Sequence, residues 1–334
     1  MRMGLNMALS RAYGGGAAPA STSALSENFA TSTYSVGATS YSPITTLPGY
    51  TFTRSGIQGA VDAAGAVQFF AANVAAINSA GYHAFGALTN YLLQSQALNT
   101  ANWSALGAIV AANTAVAPDG TTTMDRIVED TTSAAHCIYG PATGIVAGTA
   151  TFSAFVKGGT QRYVSLRGGS VPAGGGFAWM TIDTQTGAVA SNTAGTGYAV
   201  NCGGGIWRAV LVYTYASDDN QVIALSNVAA APTTSAATGN VYLGASLDAY
   251  AWQAQTLQGN FPDGGPIITT TTAAVGIGAS VMAVNLANGT YSATYTFDDN
   301  STQTNAALVI ADGVLNTPAD FVPNRNIIKQ LLVT

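Results

Sequence analysis

The chain has 334 residues, of which only 7% are charged: 10 Lys and Arg against 15 Asp and Glu, a net charge of −5. Ten scattered cations cannot build the basic face that nucleic acid requires, and with 48% apolar residues the chain is too hydrophobic for charge-driven disorder. No apolar run approaches the roughly 18 residues of a membrane-spanning helix, so membrane insertion is not expected. Residues 1–16 lack the apolar core of a secretory signal.

A surface this poor in charge makes a free monomer prone to self-association, a first pointer to a protein that lives in an assembly. The two cysteines, Cys137 and Cys202, are too few for a disulfide framework or a zinc site and read as small buried apolar side chains.

Residues 1–50 read as an irregular arm, since the Tyr13-Gly14-Gly15-Gly16 run and the Ser, Thr, Gly and Pro that follow favour neither helix nor strand. Residues 51–89 read as lead-in strands. Tyr50–Arg54 alternates, and Asp62 with Gly65 supplies turn chemistry between two short strands. Alanine content alone would favour a helix over 60–85; Gly65, the Val and Phe content and the family resemblance given below favour strands, and composition by itself leaves the two open. From residue 90 the β signal is clear. Segments 151–156, 163–166, 177–183, 207–215, 221–226 and 240–247 are rich in Val, Thr, Tyr and Phe and are separated by Gly, Asn, Asp and Pro. That spacing predicts a sandwich or barrel over 90–262. Asp183–Gly187 has hairpin-turn chemistry, and Gly203-Gly204-Gly205 leads sharply into Ile206-Trp207-Arg208. Pro262, Gly264, Gly265 and Pro266 mark a boundary. A small β unit is expected over 263–334, with an Asn288-Gly289 turn, a strand through Phe297 and a final apolar strand at 327–333.

An ordered series of short motifs runs through the middle of the chain: Asn90–Gln96, Ala101-Asn102-Trp103, Ala117–Asp130 with its Pro118-Asp119-Gly120-Thr121 block, Thr151–Lys157, Arg162-Tyr163-Val164, Ile206-Trp207-Arg208 and Tyr250–Gln255. The series resembles the carbohydrate-binding-module-like jelly-roll domains of tailed-bacteriophage structural proteins: head spikes, head fibres, minor structural proteins and tail fibres. The resemblance covers roughly residues 50–334. It departs from the family's pattern where Gln255 runs into Thr256-Leu257-Gln258 without an acidic residue, and in the Ala-rich 70–85 stretch. It implies an antiparallel all-β jelly-roll sandwich and a non-enzymatic virion subunit assembled in the host cytoplasm. The expected partners are further copies of the chain, with a trimer favoured, and other proteins of the head, neck or tail. The alternative it implies is an adhesin for host-surface glycan.

The residues themselves carry little catalytic chemistry. His83 has no acidic neighbour, and His136 and Cys137 would point to opposite faces of a strand. Carboxylates sit mostly in turn contexts, which leaves a glycan hydrolase as an outsider. No cofactor is expected; Asp119, Asp125 and Asp248 are the weak candidates for a calcium site. Trp103, Trp207 and Trp252 fall in framework motifs and are expected in the core. Arg162, Tyr163, Arg167, Phe177 and Trp179 lie on or beside neighbouring strands and form the candidate glycan-binding patch, provided that their face is open to solvent.

Overall fold

The computed structural model describes residues 23–142, 144–170, 176–216, 219–261, 264–270, 275–323 and 325–334. Among these residues the chain is all-β with antiparallel pairing, and its one helical element is a single 3₁₀ turn at Ile44–Thr46. No helix among them is long and apolar enough to cross a membrane.

Two six-stranded sheets make the centre. The first runs, in spatial order, Ser104–Leu106, Cys137–Ala142, Asp219–Ser226, Tyr163–Ser170, Phe177–Asp183 and Val189–Thr193. The second runs Ala108–Val116, Thr122–Glu129, Asp248–Gln258, Gly148–Gly158, Ile206–Tyr215 and Gly195–Asn201. Period-2 alternation aims one side of each strand at the partner sheet. Val164 and Leu166, Ala178, Met180 and Ile182, and Ile223 and Leu225 meet Ala150, Phe152, Ala154 and Val156 in one buried cluster. In Asp248–Gln258 the alternation breaks: Ala249, Ala251 and Ala254 all join the same cluster. Gln253 has a positive φ of 50°, and the pairing shifts register between Ser153 and Phe155. This bulge resets the phase and leaves Trp252 on the opposite face.

Both sheets are covered on their outer faces as well. On the second, Trp252, Phe155, Met124 and Ile206 pack beneath Val67 and Phe69 of the Gln58–Val61/Val67–Phe70 hairpin. On the first, Trp179, Cys137, Val222 and Ala224 pack with Ala231. Both cysteines are buried free thiols, and burial pushes the Cys137 thiol up to about 12.

The ends of the chain share a third sheet. Its order is Thr302–Ile310, Gly289–Phe297, Ile327–Val333, Leu25–Asn28, Thr33–Val36 and Thr39–Tyr41, with Gly81–His83 also pairing with the last strand of the chain. The expected arm therefore needs correction between residues 25 and 41. Leu25, Phe29 and Tyr34 are buried with Tyr82, Tyr295, Phe297, Leu331 and Val333, and that apolar set outweighs the local preference for irregular chain. Residues 1–22 and the expected boundary at 262–263 lie outside the described residues. Over 60–85 the strand reading holds: Gln58–Val61, Val67–Phe70, Ile77–Asn78 and Gly81–His83 are all strands. The expected strand over 240–247 is shorter, Val241–Leu243, and a separate long strand starts at Asp248.

Glu27 is the unusual member of this third sheet. Its side chain is fully buried and neither carboxylate oxygen has a hydrogen-bond partner. Burial raises its carboxyl to about 8.

Candidate functional site

Of the expected glycan patch, Arg167 and Trp179 are paired neighbours on adjacent strands, yet they do not form an open surface. Trp179 is 0% exposed and its indole N–H donates to Ala236 O at 3.1 Å. The Arg167 guanidinium is buried too, donating to Ala237 O and to Asn220 O, with its centre 4.0 Å from the Phe177 ring centroid. The 227–240 segment thus lies over this part of the face. Arg162 is exposed, bonded to Asp183 and set over the half-buried Tyr163 ring at 5.2 Å. The physical reason for the burial is the apolar area of Trp179, Phe177 and Val222, which the segment removes from water.

The three framework tryptophans behave less uniformly than expected. Trp252 is fully buried. Trp103 is buried, with its N–H donating to Leu93 O at 3.2 Å. Trp207 is only half-buried; it packs on the central cluster and donates to Thr184 O at 2.9 Å.

The three carboxylates weighed for calcium are occupied separately. Asp119 accepts from the backbone and hydroxyl of Thr121 within its own turn. Asp125 accepts from the backbone N–H groups of Leu98 and Asn113. Asp248 pairs with Arg126 and accepts from Thr160. Among the described residues no group of three His, Cys, Asp or Glu is placed to hold a metal ion. His136 is locked between two carbonyls, Nδ1 at 2.6 Å from Gly107 O and Nε2 at 3.1 Å from Tyr242 O.

Polar groups converge elsewhere. A cleft of about 310 Å³ opens where the third sheet meets the outer face of the second, lined by Asp62, Ser79, His83, Arg208, Asp298 and Lys329 among others. Local structure holds each group in place. Asp62 Oδ1 accepts from Ala64 N and Ala66 N at 2.9 Å each, and so pins the hairpin turn. Ser79 Oγ accepts from Ala63 N at 3.1 Å. Asp298 accepts from Arg325, and Lys329 Nζ donates to Asn300 Oδ1 at 2.9 Å. Arg208, opposite Val200 in the ladder, extends to Ser153 Oγ and Gly264 O.

His83 sits at the back of this cleft. It is 1% exposed, and burial together with the nearby Arg208 cation pushes its imidazole down to about 3. Its Nε2 lies 3.2 Å from Asn78 Oδ1, which already accepts from Ala80 N at 3.0 Å, so Nε2 must be the donor. Nδ1 is then a bare lone pair, and it has no hydrogen-bond partner. Ser79 Oγ is therefore not hydrogen-bonded to it, and the pair lacks the nucleophile–base contact of covalent catalysis. His83 Nδ1 is itself closed to solvent, so the acceptor oxygens that line the cleft are those of Asp62, Ser79 and Asp298.

In the sequence Asp62 reads as a turn residue, Arg208 as part of the Ile206-Trp207-Arg208 motif and His83 as a histidine without acidic neighbours, and nothing there places them at one site. They come from segments far apart in the chain, and no local motif joins them. No family model matches the chain, and no curated protein is similar to it.

Proposed function

We propose that the chain is a non-enzymatic structural subunit of a tailed-bacteriophage particle, with the two six-stranded sheets forming a jelly roll. It assembles by burying apolar β surface against further copies of itself, a trimer being the expected state, and against other virion proteins. The observation that best supports assembly is the chemistry of the sheet edges. Ala108–Val116 and Gly195–Asn201 close the two edges of one sandwich sheet, and Thr302–Ile310 closes one edge of the third sheet. None of these strands contains a charged residue or a proline. Free-standing proteins usually protect such edges with lysine, proline or a covering element. Here Ile109 is 68% exposed and Val309 64% exposed. The family resemblance supports the virion setting. The adhesin alternative is the weaker reading, because Trp179 and Arg167, the centre of its expected patch, are buried.

Light scattering on the full chain tests the assembly step, and mass spectrometry on purified particles tests the setting. Expected are a discrete multimer that Ile109→Lys with Val309→Lys dissociates, and the chain as a stoichiometric particle component. A monomer at every concentration, together with absence from particles, would overturn the reading.

A further inference from the structure

Of the three charge-free edge strands Ala108–Val116, Gly195–Asn201 and Thr302–Ile310, two are interrupted. The first shifts register between Ala111 and Ala115, and the ladder of the third shifts between Tyr291 and Ala293. Such bulges are one of the ways in which proteins blunt an edge. Gly195–Asn201 has none. All seven of its residues pair in unbroken register with Trp207–Tyr213, and it contains no lysine and no proline. It is the last strand of its sheet, so its outward backbone N–H and C=O groups form a template for one further strand.

The two faces of this edge define what that strand must look like. On the inner face Gly195, Gly197 and Ala199 are small, and a Cβ at Gly197 would stand 3.0 Å from Val189 Cγ1 and 3.2 Å from Met180 Cβ. Ala199 and Val189 are only partly buried where they pack on the central cluster. The rim of the sandwich is therefore apolar and thinly covered on this side. An added strand meets it with every second residue, and long apolar side chains there would cover it. On the outer face Thr196, Tyr198 and Val200 are exposed, so the alternate residues of the added strand face water.

The chain itself contains such a segment. Met1, Met3, Leu5, Met7 and Leu9 alternate with Arg2, Gly4, Asn6 and Ala8. That period of two is the pattern of a strand with one apolar face, and methionine adapts to an irregular apolar rim. Segment 1–9 is long enough to cover all seven residues of the edge. Residues 10–24 join it to the strand that starts at Leu25. Extended, they reach about 50 Å, roughly twice the width of a six-stranded sheet and enough to reach a copy packed alongside.

We propose that segment 1–9 of one copy adds as a strand to the Gly195–Asn201 edge of the next copy, with Met1, Met3, Leu5, Met7 and Leu9 over the apolar rim. The inference rests on the assembly reading and names a contact that carries it. A segment laid on its own chain's edge would cap that edge and join nothing. Laid on the next copy, it closes the edge and links the two. The contact is heterologous, donor segment to acceptor edge, and so is compatible with a closed ring of three.

The test is cross-linking of the full chain carrying Asn6→Cys, on the donor, with Tyr198→Cys, on the outer face of the acceptor. The native thiols of Cys137 and Cys202 are buried and stay out of the reaction. A short bis-maleimide is expected to give covalent multimers whose peptides join residue 6 to residue 198, and omitting either new cysteine should abolish them. Leu5→Lys with Met7→Lys should weaken the multimer in light scattering at least about tenfold per lysine, the loss of a buried apolar side chain. Leu5→Ile with Met7→Leu should preserve it. A 6–198 link formed only within monomers, or no such link, would overturn the proposal even where the wild type is a multimer; the assembly reading would then stand without it. A wild type that is monomeric at every concentration would overturn both.

Discussion

Glu27→Gln is the substitution that most directly tests how the third sheet holds together. The native carboxyl is buried without a partner and stays protonated up to about 8, against an ordinary 4.5. Desolvation is the cause, with Tyr34, Tyr50, Tyr82 and Tyr295 close enough to feel its charge. The unfolded chain releases this proton near 4.5, whereas the native protein keeps it until about 8. Between those values the native state binds the extra proton, so stability falls as pH rises. The full displacement corresponds to about 5 kcal/mol, comparable to the whole stability of many domains, about 5–15 kcal/mol. A glutamine is neutral throughout and nearly isosteric, with an amide NH2 in place of one carboxyl oxygen. Urea denaturation at a series of pH values should therefore show similar stability for both proteins near pH 5. In the wild type stability should fall steeply between about pH 5 and pH 8 and level off above that, and in Glu27→Gln the fall should be much shallower. Parallel curves for the two proteins would refute the reasoning, because they would place the alkaline loss on another group.

His83 governs the opposite limb. Its imidazole is held down to about 3 from an ordinary 6.5, so the stability it contributes is complete above 6.5 and is lost as pH falls toward 3; His83→Gln should flatten that acid limb in the same titration. Gly187 has φ +74°, and a Cβ there would enter the Trp207 ring. Gly187→Ala should therefore cost at least about 2 kcal/mol by denaturation, since strain and overpacking add. Trp252→Ala should cost about 3–5 kcal/mol and should loosen the hairpin of Gln58–Val61 and Val67–Phe70, seen as new cleavage there in limited proteolysis. Cys137 and Cys202 should resist a thiol-specific reagent in the native protein at mildly alkaline pH and react fully once unfolded, because burial raises both thiols.

The local chemistry of the sandwich was legible residue by residue. Phe177–Asp183 is a strand with the bounds that its composition suggests. Asp183 accepts from Gln185 N at 3.0 Å and Gly187 takes the positive φ that the hairpin needs. Asp62 and Gly65 make the predicted turn, and Gly203, Gly204 and Gly205 all have positive φ before the strand Ile206–Tyr215. Turn residues and period-2 alternation act over a few positions, and a few positions are what a sequence displays.

Three features were not legible in this way. Strand pairing between the two ends of the chain, Leu25 opposite Val333 and Glu27 opposite Leu331, depends on partners more than 300 residues apart, as their numbers show. The burial of Trp179 depends on where the 227–240 segment lies, and its Ala, Thr and Ser composition does not announce a covering role. The cleft needs Asp62, Ser79, His83, Arg208, Asp298 and Lys329 together, and only the docking of the third sheet on the second brings them there. Composition and short-range pattern determined that this protein is poor in charge and strand-rich from about residue 90 onward, and left residues 60–85 open between helix and strand. Tertiary structure decided which faces are covered, which edges stay open and where polar groups converge, because burial and hydrogen-bond satisfaction are properties of surfaces that meet only after the chain has folded.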